Sequence, residues 1–194
     1  MKRFFAMLLA IVMVLAVAVP ALAEDASLQK ILDKGTLILG LDDSFPPMGY
    51  RDDNNEIVGF DIDLAREVCA RLGVELALQP INWDAKEMEL SSGNIDCIWN
   101  GMSDTPERQE SMAMSKDYLN NKMVFLVKDA AFKSREDLVG KKVGVQAGSY
   151  AEEVLETNPE YADYYKSLGE VLAYPDYLTA IMDMQNGNID GILI

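Results

Sequence analysis

Gly93-Asn94-Ile95-Asp96-Cys97-Ile98 recurs 94 residues later as Gly187-Asn188-Ile189-Asp190-Gly191-Ile192. The residues ahead of each copy match in pattern, Met88-Glu89-Leu90 against Met182-Asp183-Met184. In each copy a helix stops at a glycine, which takes a left-handed turn without steric cost, and an apolar run then begins at isoleucine. A common helix–turn–strand unit used twice accounts for the match locally. Two lobes of similar topology account for it globally, and that is the reading carried forward.

The pattern around the repeat supports alternating strands and helices. Residues 27–33 read as a short amphipathic helix stopped by Gly35. Thr36–Leu41 reads as a buried strand, and two prolines make 42–49 a loop. Phe60–Leu72 places Leu64, Ala65, Val68, Cys69 and Leu72 at helical spacing before Gly73. Further strands are expected at 74–78, 95–99, 123–127, 142–145 and 171–174, and helices at 85–91, 149–156 and 176–185. Tyr161, Tyr164 and Tyr165 are expected to pack the second lobe. This order implies an α/β fold with mostly parallel sheets. The polar stretch 116–122 is the expected crossover, giving lobe one as 24–118 and lobe two as 119–194. Ligands of such sheets sit beyond the carboxyl ends of the strands.

Composition narrows the function. Apolar residues at 49% and charged residues at 25% exclude wholesale disorder. The chain has no histidine, which removes Ser-His-Asp and Cys-His catalysis and His-ligated zinc. A net charge of −15 argues against nucleic acid, whose phosphates demand clustered Lys and Arg. Asp52-x-Asn54-x-Glu56 is a partial calcium loop, but Ile57 stands where glycine is required, so a hairpin turn is expected and no metal or cofactor. Cys69 and Cys97 leave a pair and two buried free thiols both open, the free thiols being the simpler reading. Met1-Lys2-Arg3, an apolar run of 16 residues over 4–19, and Ala21-Leu22-Ala23 follow the order of a secretory signal peptide cut after Ala23. The expected location is the periplasm or the extracellular space.

Three motifs carry a resemblance. Ser44-Phe45-Pro46-Pro47-Met48-Gly49-Tyr50 with Val58-Gly59-Phe60-Asp61-Ile62-Asp63-Leu64-Ala65 comes first; Asp96 to Arg108, read as DCIWNGMSDTPER, comes second; Val143-Gly144-Val145-Gln146-Ala147-Gly148-Ser149 comes third. In this order they resemble the periplasmic polar amino-acid-binding proteins of ABC importers. The resemblance implies a two-lobe, type II periplasmic-binding fold that closes on a free amino acid and delivers it to a membrane permease, as a monomer. It implies no enzymatic activity. Two other readings stay open: an exported dehydratase of the cyclohexadienyl or arogenate type on the same fold, and the ligand-sensing domain of a receptor.

The residues suit that ligand chemically. Arg108 offers a planar fork for a carboxylate, although residue type alone favours a surface pairing with Glu107 or Glu110, and only the motif reverses that. Ser149-Tyr150-Ala151-Glu152 reads as a capping box, whose helix start is an anion site. The resemblance implies that Ser149 and Tyr150 grip the same carboxylate as Arg108. Gly101, Met102 and Ser103 belong to the central motif, with Gly101 leaving room for backbone approach. The resemblance places Phe45 and Trp83 as aromatic pocket walls and Asp42 as a contact to the ligand side chain. An acid beside two aromatics suits a cationic or amide side chain. The family pattern continues beyond Ile194 with an Asp for the ligand ammonium and a return to lobe one. The stretch 24–194 alone is therefore expected to bind weakly.

Overall fold

The computed structural model describes residues 26–194, so the expected leader lies outside the described residues. The first lobe contains α1 (Ser27–Lys34), β1 (Thr36–Leu41), β2 (Ser44–Phe45), β3 (Gly49–Arg51), β4 (Ile57–Val58), α2 (Phe60–Leu72), β5 (Glu75–Pro80), α3 (Lys86–Ser91), β6 (Cys97–Ile98) and α4 (Pro106–Ser111). The second contains β7 (Phe125–Val127), β8 (Lys142–Gln146), α5 (Tyr150–Thr157), α6 (Ala162–Ser167), β9 (Glu170–Tyr174), α7 (Tyr177–Asn186) and β10 (Gly191–Leu193).

Each lobe is built on one parallel triplet. β1 lies between β5 and β6, and β8 lies between β9 and β10, all parallel; β7 adds an antiparallel edge to β10. Both central strands are apolar because helices cover them. In lobe one Leu39 and Leu41 pack on Ile62 and Ala65 of α2. In lobe two Val143 and Val145 pack on Ala151 and Leu155 of α5. Tyr164 and Tyr165 pack against that second core, and Arg135 lies over the ring of Tyr161.

The sequence repeat is a repeat of hydrogen bonds. Asp96 Oδ2 accepts the Ile38 N–H at 2.7 Å, and Asp190 Oδ2 accepts the Lys142 N–H at 2.9 Å. Asn94 Nδ2 donates to Glu89 at 2.8 Å, and Asn188 Nδ2 donates to Asp183 at 3.0 Å. Each aspartate thus fastens the helix–turn unit to the central strand of its lobe. The buried side chains of Ile95 and Ile189 then press on that strand at Gly40 and Gly144, where a larger residue would collide.

Some expectations need adjustment. The strand expected over 95–99 is only Cys97–Ile98, because the chain turns out of the ladder toward Gly101 (φ 61°). α4 was not read from the sequence, although Thr105-Pro106 marks it: the Thr105 hydroxyl accepts the Arg108 N–H at 3.3 Å, and proline sits in the first turn. α6 was also unassigned. Asp52 Oδ1 accepts N–H groups from Asn54 and Glu56, both at 2.9 Å, so this segment is a hairpin turn. Cys69 and Cys97 are free thiols, and burial pushes Cys97 up to about 12, with the Asp96 charge adding to it. Among the described residues no helix is long and apolar enough to cross a membrane, and no group of three or more acidic or thiol side chains is placed to hold a metal.

Candidate functional site

The site lies where the carboxyl ends of β1 and β8 face each other. β1 runs directly into Asp42, which is 6% exposed. Its Oδ1 accepts the Ser44 N–H at 2.8 Å, a short turn that throws Phe45 toward lobe two. Its Oδ2 accepts from Gln146 Nε2, the last residue of β8, at 2.6 Å. Burial raises the Asp42 carboxyl above the ordinary carboxylate range, opposed by the Ser44 and Gln146 hydrogen bonds. Phe45 packs at a tilt on Tyr177 of α7, with ring centres 5.7 Å apart. The loop that carries Phe45 is held from behind. α2 donates its first N–H groups, from Phe60 and Asp61, to the carbonyls of Pro47 and Met48. Gly59 permits this approach: at φ 136° a Cβ would lie 2.3 Å from the Met48 carbonyl oxygen.

Arg108 enters from α4 and is 5% exposed. Its guanidinium donates to the Ser103 carbonyl at 2.8 Å and lies 3.5 Å from Glu153 on α5 of the other lobe. The open alternative of a surface pairing with Glu107 or Glu110 is not what forms. α5 begins as expected at Ser149, whose hydroxyl accepts the Glu152 N–H at 3.3 Å. The reciprocal half of the capping box is shifted by one residue: Glu152 Oε2 accepts from the Gly148 N–H at 2.7 Å. Glu152 already covers that donor, and Tyr150 and Ala151, the first two residues of α5, line the cleft at this helix start.

A chamber of about 50 Å³ between the lobes is lined by Phe45, Trp83, Gly101, Met102, Ser103, Arg108, Ser149 and Tyr150. These are eight of the nine residues singled out in the sequence. The ninth, Asp42, stands behind the wall, linked to it through Gln146. The chamber adjoins a cleft of about 630 Å³ that shares Phe45, Gly101, Met102, Ser103 and Tyr150 and continues along the crossover, 115–121. Ligand pockets commonly run to ~300–1,000 Å³, so the outer cleft is of ligand size and the inner chamber is its narrow end.

The sequence missed five participants. Gln146 and Tyr177 line the chamber, and Tyr177 is the lobe-two counterpart of Trp83 at the repeat spacing of 94. Asn100 is buried, lines the chamber, and carries an oxygen with no hydrogen-bond partner. Lys86 reaches across to Gly148. Tyr118, in the crossover, accepts the Gly101 N–H at 3.3 Å and donates to the buried Asp61 at 2.8 Å. The repeat spacing alone could have found Tyr177.

Two parallel-sheet lobes meeting at strand ends, with a cleft between them, define a type II periplasmic-binding-protein architecture. Residues 37–190 match the family of bacterial extracellular solute-binding proteins, family 3, and the chain belongs to that family. It is 33% identical over 189 residues to the L-cystine-binding protein TcyJ of Escherichia coli (strain K12), covering 96% of this chain and 68% of that one. It is 38% identical over 130 residues to the arginine-binding extracellular protein ArtP of Bacillus subtilis (strain 168), covering 66% of this chain and 51% of that one. Among solved structures, an ABC uptake transporter substrate-binding protein from Streptococcus pneumoniae with bound histidine superposes with a TM-score of 0.80 at 39% identity. That match covers 86% of this chain and 68% of the other.

Proposed function

We propose that this chain is the extracytoplasmic binding component of an amino-acid ABC importer. It holds a free polar or cationic amino acid between its lobes and hands it, chemically unchanged, to a membrane permease. The observation that carries this reading is the convergence of Arg108, from lobe one, and the start of α5, from lobe two, on one chamber. A carboxylate there receives a charge-assisted fork from one side and helix N–H groups from the other. Phe45, Trp83 and Tyr177 line the chamber with Asp42 behind them through Gln146, and an acid close to aromatics favours a cationic side chain. Relatives whose names specify arginine and cystine, and a solved relative with bound histidine, support this ligand class.

We place the lobe division at 118/119 and assign export to a leader cut after Ala23. Calorimetric titration with arginine, histidine, cystine and the neutral amino acids tests the function. Saturable heat with at least one of them, weakened about 10- to 100-fold by Arg108→Ala, is expected, since a charge-assisted hydrogen bond is worth ~1.5–3 kcal/mol. A folded chain that gives no saturable heat with any of them up to millimolar concentration overturns the reading.

A further inference from the structure

Lys86-Glu87-Met88-Glu89 opens α3 with a pattern that reads as a solvated helix turn. Yet Lys86 is 4% exposed. Its ammonium lies 5.3 Å from the centre of the Trp83 ring and donates to the Gly148 carbonyl of the other lobe at 2.7 Å. A buried ammonium is costly unless its donors are used. Here burial and the nearby Arg108 charge lower its pKa, while Glu87, Asp84 and Glu153 oppose the shift.

Gly148 is shaped to receive it. At φ 68° it has no side chain, and a Cβ there would lie 2.9 Å from Asp84 Cα and 3.2 Å from Lys86 Nζ. The two residues that follow, Ser149 and Tyr150, form the start of α5 that faces Arg108. The Lys86–Gly148 bond joins α3 of one lobe to the α5 turn of the other, so it exists only while the lobes are together. A contact made in one state and not the other shifts the balance toward the first.

We propose that Lys86 is a positioning residue for lobe closure: seated on Trp83, it grips the Gly148 carbonyl and sets the Ser149–Tyr150 turn against Arg108. The role assigned to that turn rests on the proposed amino-acid site, whereas the closure itself does not.

Two readouts separate them. Small-angle scattering without any amino acid compares wild type, Lys86→Met and Lys86→Arg. Lys86→Met keeps the apolar stem over Trp83 and removes the donor, so its radius of gyration should rise while Lys86→Arg restores the compact profile. Stopped-flow release of whichever amino acid binds should then quicken about tenfold in Lys86→Met with the association rate unchanged, as interface changes act mainly on dissociation. If no amino acid binds but Lys86→Met opens the lobes, the closure role stands and the transport reading fails. If Lys86→Met stays as compact as wild type and releases ligand at the wild-type rate, the closure role is overturned. Should Lys86→Met fail to fold, Gly148→Ala attacks the same seat from lobe two. Opening there supports the proposal, and wild-type compactness overturns it.

Discussion

β1 of lobe one leads into Asp42; β8 of lobe two ends in Gln146. The two stand at the same register, each four residues beyond the strand N–H that its lobe's repeat aspartate holds, Ile38 and Lys142. The contacts of the repeat itself are kept in both: the Asp clasp, the Asn-to-acid bond, the isoleucine on a glycine. What differs is what meets at the middle. An acid faces an amide, so that Gln146 donates to Asp42 across 2.6 Å. Two aspartates there would repel. The lobes are copies as scaffolds and complements as walls.

The largest test of this equivalence lies in the cores. Ile62 and Leu155 are fully buried counterparts on the helices that cover the two central strands. Ile62→Ala and Leu155→Ala should each cost ~2–5 kcal/mol in urea unfolding. A loss below ~1 kcal/mol at either position, the range of ordinary surface changes, would show that one lobe does not depend on its helix as the other does.

The glycines facing the repeat isoleucines come next. A Cβ on Gly40 would lie 2.4 Å from Ile95 Cδ1, while one on Gly144 would lie 2.8 Å from Ile189 Cδ1. Overpacking costs ~1–3 kcal/mol, so Gly40→Ala should fall toward the upper end and Gly144→Ala toward the lower. Thermal melts showing the reverse order would mean that lobe two is the more tightly packed copy. The helix starts give a smaller contrast. Asp176 caps α7 through the Thr179 N–H at 2.7 Å and its hydroxyl at 2.9 Å, whereas its counterpart Asn82 caps the short 3-10 turn Trp83–Ala85 ahead of α3, accepting from the Asp84 N–H at 3.4 Å. Asp176→Ala should cost ~0.5–2 kcal/mol, and Asn82→Ala less than that. Equal costs would place the value of Asp176 outside its capping bonds.

The scaffold was legible in the sequence because its signals are local. Period, glycine stops and the recurring Gly-Asn-Ile-Asp each act within a few residues, and the strands and helices formed close to where those signals put them. The wall was legible only as far as a familiar motif reached, which covered Arg108, Ser149 and the aromatics. Lys86 was not legible, since its neighbours Glu87 and Glu89 give it the look of a surface residue and only the other lobe buries it. Gln146 was passed over for a similar reason. Its partner Asp42 is 104 residues away, and no spacing rule connects two strand ends that meet across a cleft. Neighbours can also part ways: Trp99 packs against the lobe-one cluster, while Asn100 turns to the chamber.

The subtlest contrast is the charge that lobe one carries and lobe two lacks. Burial raises the Asp42 carboxyl above its ordinary value of 3.8, with Asp176 and Asp43 adding to the shift. A raised carboxyl pKa means that the folded chain binds a proton the unfolded chain has released. Stability from this group is therefore highest below about pH 3.8 and falls as pH climbs through the raised value, above which the penalty is constant. Asp42→Asn removes that penalty while keeping the shape. Its melting temperature relative to wild type should be higher at pH 7 than at pH 3.5, and its preference for cationic over neutral amino acids should shrink. Gln146→Glu makes the opposite change, placing a second carboxylate against the first, and should lower stability at pH 7 more than at pH 3.5. If both variants track wild type across that range, the Asp42–Gln146 contact is not what distinguishes the two strand ends, and the asymmetry of the wall must lie in Trp83 against Tyr177 instead.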